Sequence, residues 1–290
     1  AACGGGATVS AVPSAAPVDN GIPYADEDET LEGFEALTTE VTVVRHVWED
    51  GADAPRIVIE TARVDIASIE GDGPLANVDP TMTIEMNGET LYFVDGRATD
   101  SDGKTWSAYI DTKGEASGTA GFYHYDYGVG ASPFDTEGVF AFGFLTDPVV
   151  VAARGSTASY QGNWYGYGVV TDGGSIILAN EAIGGGSILL TADFDQMSVS
   201  GDLTGSYNSF GRVDGSWSEL DIVDNGFSGD FLMECGTGDT CRSNTIVGGA
   251  FFGAEGGEVS GTIGFDEVRT SSGETRRLVS SAGYTLIENQ

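Results

Sequence analysis

The stretch that decides the fold runs from Gly248 to Ile263 and reads GGAFFGAEGGEVSGTI. Phe251 and Phe252 are adjacent, so on a strand their rings point to opposite faces of the sheet. Gly253 and the pair Gly256-Gly257 permit a tight reversal at positive φ before the next strand. The stretch therefore predicts a hairpin in which one ring fills a barrel and the other covers a neighbouring domain or loop.

Period-two patterns on either side of this hairpin predict strands along the whole chain. In the first half, residues 38–50 and 55–69 alternate between two faces, and further candidate strands lie at 81–86, 90–95, 105–112, 116–127 and 137–145. In the second half, turns rich in glycine separate candidates at 157–170, 174–180, 187–194, 196–204, 227–234, 245–252, 257–265 and 280–288. Neither series contains a long amphipathic helix pattern.

These patterns predict an all-β protein with two domains. A proline and a Gly-Ser step near residues 146–156 separate the two strand series. We therefore place an N-terminal antiparallel β domain at residues 31–153 and a second domain at residues 154–290. Eight strands suffice to close a small antiparallel β-barrel, and closure removes exposed sheet edges. Residues 205–226 are expected to hold a partial strand or an excursion at one end of this barrel.

The charge of the chain excludes some partners. It has 45 acidic and 12 basic residues, a net charge of −33 over 290 residues. Nucleic acid or an anionic membrane surface would repel such a chain. Hydrophobic residues at 40% and aromatic residues at 10% indicate a folded protein. No apolar run reaches the roughly 18 residues of a membrane-spanning helix, so we expect attachment to a membrane only through a lipid anchor.

The candidate anchor is Cys3, in the sequence AACGGG. Ala-Ala before a cysteine and small residues after it look like the end of a bacterial lipoprotein signal and the start of a tether. Residues 1–30 are rich in small residues and proline, so they are expected to form a flexible spacer. The alternative is an accidental N-terminal thiol.

The other two cysteines, Cys235 and Cys241, flank the turn-forming residues Gly-Thr-Gly-Asp-Thr. This spacing favours a disulfide across the end of a hairpin, which indicates an oxidising compartment. The alternative is a metal site, but two thiols without a nearby histidine or a second cysteine pair make an incomplete zinc set.

Three ordered motifs in the second half resemble the β-barrel domains of transferrin-binding protein B. They are Tyr160-Gln161-Gly162, the pair Asp193-Phe194 followed by Gly201, and the stretch Gly248–Ile263 with its aromatic pair, glutamate and Gly-Gly. The resemblance covers residues 154–290. One departure is Ala254, which stands where that family has a proline.

The resemblance implies a lipid-anchored binding module on the bacterial outer membrane that captures an iron-carrying protein or haem alongside an outer-membrane transporter. No catalytic site is predicted, because His46 and His124 are the only histidines and neither lies near a Gly-x-Ser-x-Gly or His-Glu-x-x-His motif. His46 fits an alternating strand position. The alternative function is a structural or assembly protein of the cell envelope with no small-molecule ligand.

Two aromatic clusters supply the candidate binding residues. In the first, Tyr123, Tyr125 and Tyr127 share one face of a strand, and His124 lies on the other. The second is Trp164, Tyr165 and Tyr167. Tyrosine offers a large contact area at little cost in rotamer entropy, so we interpret both clusters as partner contacts. The alternatives are core packing and, since tyrosine and histidine ligate iron, haem binding.

Acidic loops are candidate Ca²⁺ sites, because carboxylate oxygens suit this ion. They are Asp100–Gly103, Asp193–Asp195 and Asp221–Asp224. None has the ligand spacing of a complete calcium loop, and the alternative is a solvated, salt-adapted surface. We therefore assign no metal ligand.

Overall fold

The computed structural model describes Leu31 and residues 37–47, 55–68, 80–124, 136–172, 175–208, 210–236 and 238–289. These residues form two antiparallel sheets and one short helix. The predicted tether, with Cys3, lies outside the described residues.

The first sheet has eight strands. They are β1 (Leu37–Val47), β2 (Arg56–Ser68), β3 (Thr81–Met86), β4 (Glu89–Phe93), β5 (Arg97–Thr99), β6 (Thr105–Lys113), β7 (Ser117–His124) and β8 (Thr136–Gly143). Their order in the sheet is β4-β3-β2-β1-β8-β7-β6-β5, so strands adjacent in sequence pair and β1 pairs with β8. The edge strands β4 and β5 meet through a bridge between Val94 and Arg97, which curls the sheet towards a barrel.

Alternation along these strands builds the core of the first domain. Val41 and Val43 of β1 and Val64 and Ile66 of β2 are buried on one face. They belong to one apolar cluster with buried residues of β7 and β8, including Phe122, Phe140 and Phe142. The opposite face of β1 turns towards the second domain.

A short helix, α1 (Pro148–Ala153), links the two sheets. Asp147 caps it by accepting a hydrogen bond from the backbone N–H of Val149, and Pro148 occupies the first turn, where it loses no hydrogen bond. No helix in the described part of the chain is long and apolar enough to cross a membrane.

The second sheet contains nine strands. They are β9 (Thr157–Asp172), β10 (Ser175–Asp193), β11 (Ser198–Tyr207), β12 (Gly211–Val223), β13 (Gly226–Asp230), β14 (Leu232–Met233), β15 (Thr240–Phe252), β16 (Glu258–Ser271) and β17 (Glu274–Glu288). Eight of them close a ring in the order β9-β10-β11-β12-β13-β15-β16-β17, because β17 pairs back to β9 and β11 pairs with β12. The two-residue β14 pairs only with β12. The structure thus confirms the predicted all-β fold and the eight-stranded antiparallel barrel.

The barrel interior is a packed aromatic core. The ring centroids of Trp164, Tyr207 and Phe265 lie 5.5 to 5.8 Å apart. Gly205 provides the space for this packing, because a Cβ atom there would lie 2.5 Å from Cζ2 of Trp164. Phe251 also packs into this core, whereas Phe252 packs with Leu145 and Ala116 between the domains. The prediction that the two rings serve opposite faces is confirmed.

Two strand predictions for the barrel ring were wrong, and the short strand β5 of the first sheet was not predicted. The candidates 174–180 and 187–194 are parts of one strand, β10, which continues through the glycines at 184–186. Residues 205–226, expected to hold a partial strand or excursion, contain the full ring strand β12. These two errors cancel in the count of eight.

Candidate functional site

The two domains are joined by a buried carboxylate. Glu258, at the start of β16, accepts hydrogen bonds from the backbone N–H groups of Glu115 and Ala116 at 2.7 and 3.0 Å, and from the Ser117 hydroxyl at 2.7 Å. Gly114 allows this approach, because a Cβ atom there would lie 2.2 Å from Glu258 Oε2. The barrel thus holds the β6–β7 turn of the first domain.

A second polar cluster lies in the same interface. His46 Nδ1 of β1 is 3.3 Å from Ser281 Oγ of β17 and 4.0 Å from Glu137 Oε2, and Tyr109 donates a hydrogen bond to Glu137. Burial, with a smaller effect of the Arg45 charge, lowers the pKa of His46 to about 3. The imidazole is therefore neutral at pH 7.

Serine, histidine and glutamate occur together here, but their geometry does not fit nucleophilic catalysis. In a catalytic triad the two imidazole nitrogens serve different partners, the nucleophile and the acid. Here Ser281 and Glu137 both approach Nδ1, and His46 is fully buried. The cluster packs the domain interface and offers no access to a substrate.

The structure describes two members of the first predicted aromatic cluster, Tyr123 and His124. Tyr123 is half-buried, with its ring centroid 5.8 Å from that of Tyr109. His124 is buried on the other face, and its Nδ1 lies 2.8 Å from the backbone oxygen of Thr105. This placement gives His124 a packing role. Tyr125 and Tyr127 lie outside the described residues, so the three-tyrosine contact surface stays a prediction.

The second predicted cluster is divided between the two sides of the barrel wall. Trp164 points inward, is fully buried and donates a hydrogen bond to the backbone oxygen of Thr204, so the structure gives it a packing role. Tyr165 and Tyr167 point outward and are half-buried. The Tyr167 ring meets Tyr109 of the first domain edge-on, with centroids 5.5 Å apart.

The outer face around Tyr165 carries no charge. Outward-facing residues of β9 are Ser159, Gln161, Asn163, Tyr165 and Tyr167, and those of the paired part of β10 are Ile183, Gly185, Ser187, Leu189 and Thr191. Tyr165 and Gly185 are cross-strand partners, as are Gln161 and Leu189. Ile183 and Leu189 are nearly half exposed, at 47% and 46%. We call these residues the uncharged face.

This face differs from the rest of the acidic surface. On the neighbouring strand β11 the exposed Asp202 lies opposite Leu189, and β12 carries Arg212, Asp214 and Asp221. Amide and hydroxyl groups beside exposed aliphatic side chains can bind a partner without desolvating a charge. The sequence pointed to Tyr165, but Ile183 and Leu189 were missed because β10 was divided at the glycines between them.

Two of the three acidic loops make local hydrogen bonds through an aspartate. Asp100 accepts hydrogen bonds from the backbone N–H groups of Asp102 and Lys104 and from Trp106 Nε1. Burial raises the pKa of Asp100, but these hydrogen bonds outweigh it and lower the pKa overall. Asp193 Oδ1 likewise accepts a hydrogen bond from the backbone N–H of Gln196. Among the described residues, no group of three or more His, Cys, Asp or Glu side chains is placed to hold a metal ion.

Residues 153–283 match the family model described as the C-lobe and N-lobe β-barrels of Tf-binding protein B. This range includes strands β9 to β16 and most of β17, so the second sheet is similar to the β-barrels of that family. The match confirms the resemblance found in the motifs of this domain. A search among curated protein sequences found no match.

Solved structures of transferrin-binding protein B align with the chain at low identity. One from serogroup B Neisseria meningitidis has 16% identity and a TM-score of 0.42, covering 87% of this chain and 44% of its own. One from Haemophilus parasuis has 16% identity and a TM-score of 0.41, covering 79% and 51%. The chain therefore spans about half the length of these proteins, and the likeness assigns it no ligand.

Proposed function

We propose that this protein is a lipoprotein of the bacterial outer-membrane surface, anchored through Cys3, that binds an iron-carrying protein and catalyses no reaction. The uncharged face carries the proposal, because it combines a tyrosine, amides and exposed aliphatic groups on a chain of net charge −33. A large acidic surface otherwise favours solvation over contact. The barrel family supports a binding role, and the location and anchor follow from the same family and the Cys3 motif.

A protein partner is favoured over haem by the state of the two histidines. His46 is fully buried between the domains and His124 is 6% exposed, with its Nδ1 beside a backbone oxygen. Neither presents a nitrogen at the surface for an iron ligand. A rigid sheet face with spaced side chains suits a protein surface instead.

The experiment measures binding of iron-saturated transferrin, with haemin as the second probe, to the immobilised full chain by biolayer interferometry. Tyr165→Ala and Leu189→Asp are expected to weaken transferrin binding by about tenfold or more, as expected for anchors of an interface. The matched controls are Tyr92→Ala and Leu232→Asp, because these side chains are 67% and 77% exposed outside the uncharged face.

Equal losses in the control variants would contradict the assignment of this face. Absence of binding to both probes by a correctly folded chain would contradict iron capture and favour the envelope-structure alternative. Labelling with a radioactive fatty acid in a bacterial host tests the anchor separately, and Cys3→Ala is expected to abolish the label.

A further inference from the structure

A cavity of about 200 Å³ lies between the two domains. One wall is the outer face of β1, β2 and β8, and the other is the outer face of β13, β15 and β16. It is separate from the uncharged face, which lies on β9 and β10. We call it the interdomain slot.

Small side chains create the slot. The barrel wall presents Gly248, Ala250, Ser260 and Thr262, and the opposing sheet presents Thr42 and Ala141. Packed sheets normally interdigitate large side chains across the gap between them. Here that gap is left unfilled.

The walls are held apart at both ends, so the slot is preformed. At one end, methyl groups of Val44 and Ile57 approach the backbone at Gly264, where a Cβ atom would lie 3.2 Å from each. At the other end, Leu145 bridges to Phe252 in a β-type pairing. Closing the slot would require breaking these contacts, and a preformed site costs little ordering on binding.

The residues that line the interdomain slot determine the size and charge of a ligand that fits it. Its apolar surface comes from residues such as Val44, Ile59, Ile246 and Phe252, and its charged residues are Glu40 and Glu60, both acidic. Glu60 is paired with Arg45 at 2.6 Å, which leaves Glu40 as the carboxylate beside the slot without such an ion pair among the described residues. An apolar cavity of about 150 Å³ holds benzene, so this slot accommodates one ring with a short substituent.

We propose that the interdomain slot binds a small one-ring aromatic amine, with its ring between the sheets and its ammonium group near Glu40. An anion of the same shape is repelled by Glu40 and by the net charge of −33. Burial of the ring supplies the attraction. A ligand of this size binds with a Kd of about 1 mM or tighter.

The test uses phenethylamine as the probe, with phenylacetate as its anionic counterpart and 2-phenylethanol as the neutral one. Binding to the full chain is followed by NMR of the methyl groups of Val44, Ile59 and Ile246. We expect these signals to shift with phenethylamine, with phenylacetate about tenfold weaker or more. Glu40→Gln is expected to weaken phenethylamine several-fold while leaving 2-phenylethanol unchanged.

Variants that fill the slot test its location. Thr42→Phe and, separately, Ala141→Leu are expected to reduce phenethylamine affinity about tenfold or more, whereas Thr204→Phe on the outside of the barrel leaves it unchanged. Retained binding in both filled variants, equal binding of phenylacetate, or no shift of the three methyl signals would overturn the proposal. The result is independent of transferrin binding, which is tested with other variants.

Discussion

At the scale of single residues, Glu258 joins the two domains. Its carboxylate accepts two backbone N–H groups and one hydroxyl from the first domain, although it is only 7% exposed. Glutamine keeps an oxygen for the two backbone N–H groups and turns its NH₂ group to the Ser117 hydroxyl, so charge-assisted hydrogen bonds become neutral ones, at a cost of about 1–2 kcal/mol. We expect Glu258→Gln to lower the free energy of unfolding by that amount, measured by urea denaturation. Glu255→Gln, at an exposed position in the adjacent turn, is the control and is expected to change little.

His46 predicts a pH dependence. Its pKa in the folded protein is about 3, below the value of 6.5 for a free histidine, because it is buried. Between these values the unfolded chain binds a proton that the folded chain excludes, so acid favours unfolding. Across pH 6.5 to 3, stability is expected to fall more steeply than in His46→Gln, by up to about 1.4 kcal/mol per pH unit.

The difference between the two unfolding curves isolates His46 from the carboxylates, which titrate in both proteins. Parallel curves over that range would show that the buried imidazole does not control acid stability. A variant less stable at pH 8 does not affect this comparison, because only the slopes against pH are compared.

At the scale of elements, the predicted disulfide is present between Cys235, two residues after β14, and Cys241, at the start of β15. It closes a loop of few residues, so it removes little entropy from the unfolded chain, about 2 kcal/mol. We expect the Cys235→Ser, Cys241→Ser double variant to lose about that much stability. Hydrogen exchange is expected to quicken near these strands only; loss of protection in β9 or β17 would contradict a local role.

Alternation predicted strands well wherever it was continuous, as in β1, β2 and β3. It failed at β10, because Gly184, Gly185 and Gly186 have no side chain to carry the pattern, and at β12, where a register irregularity opposite Val199 to Gly201 interrupts it. Tyr165 was identified as a surface residue from its strand position. The hydrogen bonds between Glu258 and Ser117 and between His46 and Ser281 join residues more than 100 positions apart, so no local pattern predicts them.

At the scale of the whole molecule, the domain interface is continuous. It is formed by the β6–β7 turn, the segment before α1 and strands β15–β17. Thr146 donates its backbone N–H to Phe251, and Gly253 donates to Phe144. Asn225 donates its side-chain amide to the backbone oxygen of Thr146. These hydrogen bonds cross between the domains independently of Glu258, so the substitution of that one residue is expected to weaken the interface without separating the domains.

The net charge of the chain predicts that its thermal stability depends on salt. With 45 acidic and 12 basic residues, the folded chain repels itself more than the expanded unfolded chain does. Raising NaCl from about 0.1 to 1 M shortens the screening length from about 10 to 3 Å. We therefore expect Tm to rise with salt, by about 2–4 °C for each kcal/mol of repulsion removed.

A variant with fewer charges separates this repulsion from general effects of salt on apolar surfaces. Asp102, Asp221 and Asp230 are exposed, and replacing all three with asparagine makes the net charge less negative at little structural cost. Because the variant has less repulsion to screen, we expect a higher Tm than wild type at about 0.1 M NaCl and a smaller rise towards 1 M. Equal slopes of Tm against salt in the two proteins would mean that salt acts through burial of apolar surface instead.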